Sequence, residues 1–328
     1  MQTRPFGKDG PALGEIGLGC WQIGGDQWGN VSDADAMATL GAAVEAGTTF
    51  LDTADIYGLG RSEELIGKFR KTTRTPLFIA TKLGKNPRPG GQANCTTAVM
   101  VQHTENSLKR LGVECLDLTQ LHCVPLEELQ RGEVFDALRL LKQQGKIARF
   151  GASVEGTEEA KVCLQQEGLS SLQIIFNIYR QTPITEIFNT AVAKNVSIVV
   201  RVPLASGLLA GGYSYSTKFD PADHRSYNRN GEKFHAGETF AGVGFDTGLE
   251  LTARLKNLLP PGSHMAQTAL RWCLDFPAVT VVIPGARNPK QAQNNIAASG
   301  VPSLSPQLHE RLRRFYQDDV RQHIKGKD

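Results

Sequence analysis

The sequence predicts an α/β fold in which eight parallel strands alternate with helices. Short runs of β-branched and apolar residues recur between amphipathic stretches from residue 16 to about residue 299, and this alternation is typical of βα units that build a parallel sheet. The length of 328 residues, of which 40% are hydrophobic, suits one domain with a large core. Eight strands can form an open doubly wound sheet or a closed barrel, and their number does not decide between the two.

The strand candidates are short and spread along most of the chain. Between the first two, Ser32 stands three residues before Asp35 with the spacing of a capping box, and Gly47 follows as a helix stop. Such signals indicate that helices separate successive strands, as a parallel sheet requires. The strand candidates are Ile16–Cys20, Thr49–Asp52, Leu77–Lys82, Leu116–Leu121, Ala148–Ser153, Leu172–Asn177, Ser197–Val202 and Thr280–Ile283.

Two long irregular segments follow predicted strands. Residues 84–96 are rich in Pro and Gly, and residues 210–245 contain many Gly, Asp, Arg and aromatic residues. Long loops inside a compact domain are usually functional, and loops that follow strands surround the active site of an α/β barrel. We therefore expect both segments to border a site, with 220–245 as a candidate lid.

Charge and composition exclude several classes of protein. The 36 Lys and Arg residues against 33 Asp and Glu give a formal net charge of +3, too small over this length to indicate a nucleic-acid or membrane surface. The six cysteines form no Cys-x-x-Cys pair, which is typical of a reducing compartment. The first ten residues lack an apolar run, and the longest apolar runs have strand length. We expect a cytoplasmic protein with no nucleic-acid or membrane partner, and the pattern gives no oligomeric state.

The chain lacks the common nucleotide and metal motifs. Gly58-Leu-Gly60 is followed by Glu63 where the dinucleotide fingerprint needs a third glycine, and no phosphate-binding Gly-x-x-x-x-Gly-Lys-Ser/Thr occurs. A Rossmann dehydrogenase is therefore disfavoured. The seven histidines show no metal-ligand spacing, so we predict no metal site.

Four polar side chains fall at or just after predicted strand ends. Asp52 ends the second strand, Lys82 the third, His122 directly follows the fourth, and Tyr57 lies five residues after Asp52. The carboxyl ends of parallel barrel strands share one end of the fold, so these side chains should meet. Buried charges are costly unless paired, which predicts an ion pair between Asp52 and Lys82. The ammonium should then lower the pKa of Tyr57 and make it a better proton donor near neutral pH.

The segments around these residues resemble the aldo-keto reductase family. The resemblance extends from Gly17 to about Gly300. It implies a single-domain TIM (β/α)8 barrel over residues 1–328, an NADPH cofactor with NADH as an alternative, and an aldehyde, ketone or alcohol as the small-molecule partner. The matching segments are Phe50-Leu-Asp-Thr-Ala-Asp-Ile-Tyr-Gly58, Arg61-Ser-Glu-Glu-Leu-Ile-Gly67, Ala80-Thr-Lys82, Gln120-Leu-His122 and Pro284-Gly-Ala-Arg-Asn-Pro-Lys-Gln291.

The resemblance also implies a role for each of the four polar residues. Tyr57 would protonate the nascent alkoxide, and Lys82 and Asp52 would tune its acidity. His122 would orient the substrate carbonyl by hydrogen bonding. The chain would then be an NAD(P)H-dependent reductase or dehydrogenase in which Tyr57 is the general acid and base.

Carried over residue by residue, the resemblance implies three groups of cofactor contacts. Ser153 and Gln173 would hold the carboxamide end of the nicotinamide, and Arg201 would stack on its ring. Arg287, just before a predicted helix start, would pair with the 2′-phosphate. The pyrophosphate and adenosine contacts would come from Pro203, Leu204, Ser206, Gly207, Leu208, Gly285, Ala286, Arg287, Gln291, Asn294 and Asn295.

Two departures from the family pattern affect the cofactor site. Val154 stands where many relatives have Asn, and Arg201 stands where many have an aromatic residue. Trp21 and Trp28 are expected to wall the substrate pocket, with core packing as the alternative for Trp21.

Two other functions suit the same residues. Lys82 could serve a Schiff-base aldolase, since TIM barrels commonly carry a reactive Lys at a strand end. The barrel could instead be a cofactor-binding regulatory subunit, because channel β-subunits resemble the same family. The intact group of four polar residues favours catalysis.

Overall fold

The protein is a closed barrel of eight parallel strands surrounded by helices, seen in a computed structural model that describes residues 1–25, 28–29, 31–85 and 95–327. Each barrel strand pairs with its neighbour in sequence, so no strand crosses over another. An antiparallel hairpin precedes the barrel. The strands are β1 (Thr3–Pro5), β2 (Ala12–Gly14), β3 (Leu18–Gly19), β4 (Phe50–Asp52), β5 (Phe78–Leu83), β6 (Leu118–His122), β7 (Phe150–Ser153), β8 (Leu169–Ile175), β9 (Ser197–Arg201) and β10 (Val279–Val282).

Closure between the first and last barrel strands decides between the two architectures that the strand number left open. The amide of Gly17 donates to the carbonyl of Val282 at 2.9 Å, and Gly19 donates to Pro284 at 3.1 Å. A parallel bridge between Gly19 and Gly285 completes the ring. The predicted (β/α)8 barrel is confirmed, and an open doubly wound sheet is excluded.

Helices cover the outside of the barrel, and their ends follow the local signals. The Ser32 hydroxyl accepts from the Asp35 amide as predicted, and the helix ends just before Gly47, whose φ is +103°. The helices are α1 (Trp21–Gly24), α2 (Asp33–Glu45), α3 (Arg61–Arg70), α4 (Thr97–Leu111), α5 (Leu126–Arg131), α6 (Glu133–Gln143), α7 (Thr157–Leu164), α8 (Pro183–Glu186), α9 (Phe188–Ala193), α10 (His224–Tyr227), α11 (Phe245–Leu258), α12 (Met265–Leu274), α13 (Pro289–Ile296) and α14 (Pro306–Phe315).

The hairpin of β1 and β2, which the sequence did not predict, closes the amino-terminal end of the barrel. Phe6 at its turn is fully buried, and its ring lies 5.0 Å from that of Phe78 and 6.0 Å from that of Phe50. Arg4 donates to the carbonyls of Leu274 and Val279 at 2.5 and 2.6 Å. This end of the barrel is therefore sealed by side chains, and the open end is the carboxyl-terminal one.

Residues 210–245 and the described ends of segment 84–96 lie at that open end. Of residues 84–96, the part from 86 to 94 lies outside the described residues. Residues 210–245 are more ordered than predicted, because they contain α10 and two short 3₁₀ turns at Ala236–Glu238 and Phe240–Gly242. Within this segment the Asp223 carboxylate pairs with Arg225 at 2.5 Å, and the Arg225 guanidinium lies 4.6 Å from the centroid of a Trp28 ring. Within the described part of the chain, no helix is both long and apolar enough to span a bilayer.

Candidate active site

Lys82, Asp52 and Tyr57 form a buried hydrogen-bonded group at the open end of the barrel. The Lys82 ammonium, 1% exposed, donates to Asp52 Oδ2 at 2.6 Å, to the Thr53 carbonyl at 2.8 Å and to Tyr57 Oη at 3.2 Å. The predicted ion pair is therefore present. Asp52 and Lys82 lie on the neighbouring strands β4 and β5, and this strand pairing brings their charges together.

The turn that carries Tyr57 depends on a glycine. Gly58 has φ +59°, and a Cβ atom there would lie 2.4 Å from the Gly24 carbonyl oxygen. Only glycine allows α1 and this turn to approach so closely. The close packing fixes the Tyr57 ring over Lys82, whose Nζ lies 4.9 Å from the ring centroid.

Asp52 is also bonded from its other side. Gln173 donates its amide to Asp52 Oδ1 at 2.7 Å, and the Ser153 hydroxyl donates to Gln173 Oε1 at 3.3 Å. Two residues predicted for the cofactor and three predicted for proton transfer thus belong to one hydrogen-bond chain.

The pKa of Tyr57 shifts opposite to the prediction. Burial raises it well above the ordinary value of 10.0, and the negative charges of Asp52 and Glu238 raise it further. The expectation of a lowered pKa was wrong because burial and the Asp52 charge outweigh the effect of the Lys82 ammonium, which is itself paired with Asp52 at 2.6 Å. Tyr57 therefore holds its proton firmly at neutral pH and is available as a donor.

His122, the last residue of β6, stands beside the Tyr57 ring. The two ring centroids are 5.8 Å apart and the rings are nearly perpendicular. Burial lowers the pKa of His122 well below 6.5, and the charges of Lys85, Lys82 and Arg201 lower it further. The imidazole is thus neutral, and its buried Nδ1 has no hydrogen-bond partner among the residues that the structure describes. A neutral ring can hydrogen bond to a carbonyl oxygen without adding a charge.

A cavity of about 410 Å³ begins at Tyr57 and Asp52 and runs along the carboxyl ends of the strands to α13. Most of the predicted cofactor residues line it. They are Gln173, Arg201, Pro203, Leu204, Ser206, Gly207, Gly285, Ala286, Arg287, Gln291, Asn294 and Asn295.

Four predicted residues are not among those that line this cavity. Lys82 bonds to the lining residue Tyr57, His122 packs beside the Tyr57 ring, and Ser153 bonds to the lining residue Gln173. Leu208 points the other way, since it is 1% exposed and would clash with a Cβ at Gly248 on α11. The Leu208 side chain belongs to the core, and the cofactor contact expected at Leu208 stays a prediction.

Aromatic rings line the cavity beside Tyr57. Trp21 stacks on Tyr57 with centroids 5.9 Å apart and meets Trp28 edge-on at 5.6 Å. His224 from α10 stacks on Trp21 at 4.9 Å. Trp21 thus lines the cavity together with Trp28 instead of packing in the core. His224, which sequence reasoning placed only in a candidate lid, supports this wall from behind.

Glu238 is a cavity residue that the sequence did not reveal. Its carboxylate pairs with the Arg201 guanidinium, which also donates to the Val154 carbonyl at 2.7 Å. Burial opposes ionisation of Glu238, but Arg201 and Lys85 outweigh it and lower its pKa to about 2. Both members of the pair are therefore charged. No sequence signal marks Glu238, because it lies in a segment without periodicity.

Donor atoms of Cys123, Glu155 and Glu238 come within 4.8 Å of one another. Arg201 already neutralises Glu238 and approaches the Cys123 sulfur at 3.8 Å. A metal ion there would have to displace this cation, so we assign no metal site to the cluster.

The far end of the cavity offers hydrogen-bond donors and positive charge. Asn288 caps α13 by accepting from the Gln291 amide at 2.9 Å, and Pro289 occupies the first turn. Arg287 is exposed and forms no ion pair with the residues that the structure describes. A helix amino terminus beside an unpaired guanidinium suits a phosphate group.

Comparison with known proteins agrees with this site and fold. The model of the aldo/keto reductase family matches residues 15–317. An aldo-keto reductase of Bacillus subtilis, YhdN, is 30% identical over 302 residues, with 89% of this chain and 87% of that protein covered. "Aldo-keto reductase yakc [NADP(+)]" of Schizosaccharomyces pombe is 29% identical over 310 residues, with 91% and 86% covered.

Among solved structures, the glycerol dehydrogenase AKR11B4 from Gluconobacter oxydans superposes with a TM-score of 0.79 at 28% identity, covering 97% of this chain and 96% of that one. The fold and the site define a barrel oxidoreductase. The chain belongs to the aldo/keto reductase family.

Proposed function

We propose that this protein is an NADPH-dependent reductase that interconverts an aldehyde or ketone and the corresponding alcohol, with Tyr57 as general acid and base. The observation that carries the proposal is the contact of Tyr57 Oη with Lys82 Nζ at 3.2 Å, where Lys82 is also paired with Asp52. Tyr57 lies at the inner end of a cavity that extends to α13 and can hold an extended ligand. This group can hold and move one proton at a defined atom.

The residues of the cavity fit a dinucleotide. When bound, a reduced nicotinamide supplies the hydride, that is, the hydrogen and two electrons that reduce the carbonyl carbon. Gln173 and Arg201 would hold the nicotinamide end, and the backbone around Ser206 and Gly207 would cover the pyrophosphate. Arg287 at the start of α13 would bind a 2′-phosphate, which supports NADPH over NADH.

Tyr57 completes the reduction by proton transfer. As the carbon gains the hydride, the carbonyl electrons move to oxygen, and the Tyr57 phenol donates its proton to that oxygen. The phenolate left behind is stabilised by the Lys82 ammonium at 3.2 Å. In alcohol oxidation the same atoms act in reverse, with the phenolate accepting the hydroxyl proton.

His122 and the aromatic wall would orient the substrate. The neutral His122 ring lies beside Tyr57 and can hydrogen bond to the carbonyl oxygen, while Trp21 and Trp28 exclude water from the apolar side. The partner is then a small carbonyl compound or alcohol. Its identity and a cytoplasmic location stay predictions.

The geometry of Lys82 favours this proposal over a Schiff-base aldolase. Its ammonium already donates to Asp52, to the Thr53 carbonyl and to Tyr57, and it is buried behind Tyr57. A Schiff base requires a free amine that can reach the substrate carbon. The regulatory-subunit alternative predicts cofactor binding without turnover, and the following experiment separates it.

NADPH oxidation with a panel of aldehydes and ketones, followed by absorbance, tests the proposal. Tyr57→Phe should bind NADPH as the wild type does and should lose at least about a hundredfold in turnover, because only the proton donor is removed. Tyr215→Phe is the matched control, since Tyr215 is 70% exposed and outside the cavity. Undiminished turnover of Tyr57→Phe would refute the assignment, and binding without turnover in the wild type would favour a regulatory subunit.

A further inference from the structure

The pair formed by Arg201 and Glu238 places one positive and one negative charge on the cavity wall close to Tyr57. Both residues line the cavity, and both side chains are more than nine-tenths buried. Burial and the charge of Asp52 contribute most to the raised pKa of Tyr57. The charge of Glu238 raises this pKa further, and the charge of Arg201 lowers it. Each charge is therefore felt at the phenol oxygen.

The redox ring of the cofactor has to lie near this pair, an argument that rests on the proposed function. The carbon that accepts the hydride is bonded to the oxygen that Tyr57 protonates, and reacting atoms must come within about 3.5 Å. The donor ring therefore lies within a few ångströms of Tyr57, on the side of the cavity that leads to α13. Arg201 and Glu238 line the same cavity, and both charges act on Tyr57.

The two forms of the ring differ in charge. The oxidised nicotinamide carries one positive charge that the reduced ring lacks. An unpaired cation on this wall would therefore weaken the binding of the oxidised form only. We propose that Glu238 sets the relative affinity for oxidised and reduced dinucleotide by neutralising Arg201 at the cavity wall. Glu238 thereby keeps product release and alcohol oxidation in balance with carbonyl reduction.

The surroundings hold Glu238 in place as a fixed counter-charge. The Ser206 hydroxyl donates to the Glu238 carbonyl at 3.1 Å and accepts from the Phe240 amide at 3.1 Å. Just beyond, the buried Arg180 donates to the Ala241 carbonyl at 2.9 Å. The backbone beside Glu238 is thus bonded, and its carboxylate pairs with Arg201, so its charge at the cavity wall acts on both forms of the cofactor.

Dissociation constants for NADP⁺ and NADPH, measured by quenching of tryptophan fluorescence, test the proposal independently of turnover. In Glu238→Gln, the ratio of the NADP⁺ constant to the NADPH constant should rise by roughly tenfold, as expected for unbalancing a unit charge within about 10 Å in a partly buried site. In Arg201→Met the same ratio should fall, because the Glu238 carboxylate is then left to attract the oxidised ring. Glu15→Gln removes a buried carboxylate that pairs with Arg4 and Arg271 at the sealed end of the barrel, and should leave the ratio unchanged.

Opposite shifts in the two variants would support the proposal, because loss of structure would weaken both cofactor forms alike. An unchanged ratio in both variants, or equal weakening of both forms, would overturn it while leaving the proposed function intact. If Glu238→Gln fails to fold, the direction of the shift in Arg201→Met decides. Failure of the wild type to bind either dinucleotide would instead refute the proposed function.

Discussion

Gln173 and Asp52 are joined across the barrel by a hydrogen bond of 2.7 Å from the amide to carboxylate Oδ1. Gln173 also lines the cavity. Its side chain therefore contacts both the cavity and the ion pair of Asp52 and Lys82 that lies beside Tyr57. Gln173→Leu should lower the rate of carbonyl reduction by about tenfold or more, since a hydrogen bond to a charged group contributes ~1.5–3 kcal/mol. Ser153→Ala, which removes only a weaker bond at 3.3 Å, should lower it less. Equal losses, measured in steady-state kinetics, would contradict this ranking.

Lys82→Met should abolish turnover and destabilise the protein. It leaves the buried Asp52 carboxylate without its cation, and breaking such a pair costs about 3–5 kcal/mol of unfolding free energy. Any residual activity should show a higher apparent pKa, because the ammonium that favours the phenolate is gone. Chemical denaturation and a pH–rate profile measure the two effects. Lys82→Met with Asp52→Leu should recover stability but not turnover, and recovery of both would contradict the role of Lys82.

Arg287→Ala should weaken NADPH binding about ten- to a hundredfold and leave NADH nearly unchanged. Only NADPH carries the 2′-phosphate, and losing a charge-assisted contact costs ~1.5–3 kcal/mol. Titration calorimetry with both cofactors gives the comparison. Lys290→Ala, on the same helix and outside the cavity, is the control for a general loss of positive charge. Equal losses for NADPH and NADH would assign Arg287 another role.

His103 on α4 forms an ion pair with Asp55 at 2.5 Å, two residues before Tyr57. The hydrogen bond to Asp55 raises the pKa of His103 above its ordinary value of 6.5, although partial burial opposes this. The pair should therefore contribute stability fully below about pH 6.5 and lose that contribution as the pH rises through the raised pKa. His103→Asn should lower the melting temperature at acidic pH and have a smaller effect at alkaline pH. The opposite trend in thermal unfolding would show that the pair does not stabilise the turn.

Residues 220–245 should be protected by cofactor if they act as a lid. Arg225 and Glu238 within the segment line the cavity. Ordering it over a bound dinucleotide should slow cofactor release and suppress tryptic cleavage after Arg229 and Lys233. Mass spectrometry of limited digests with and without NADPH measures this, with cleavage after the distant Arg313 as internal reference. Identical cleavage in both samples would exclude the lid.

Much of the barrel could be predicted because its strands carry their own signals. Asp52 and Lys82 end apolar runs, and a buried parallel strand must be apolar up to the point where it reaches the open end. The closure of the ring was not predictable, because it depends on Gly17 meeting Val282 from the other end of the chain. The hairpin of Thr3–Pro5 with Ala12–Gly14 escaped prediction because three-residue strands leave no readable period.

The residues of the candidate site also fall into those that could be predicted from the sequence and those that could not. Residues on strand ends and on α13 could be placed by sequence position. Glu238 lines the cavity and His224 stacks on Trp21 from an irregular segment whose path depends on tertiary contacts. The direction of the Tyr57 pKa shift was mispredicted because burial and the charge of Glu238 are properties of the folded chain. Proximity to Lys82 was foreseeable, but the balance of all charges around the phenol was not.

The amino-terminal hairpin has a consequence for the order of folding. Arg4 bonds to Val279, 275 residues further along the chain, and the ring closes where Ile16 and Gly19 bridge to Val282 and Gly285. During synthesis the outer edge of the first barrel strand therefore stays uncovered until nearly the whole polypeptide has been made. Contacts of such long sequence separation form slowly and leave partly made sheets exposed to aggregation. Substitutions at Arg4 should therefore reduce the yield of folded protein on expression more than the activity of the molecules that do fold.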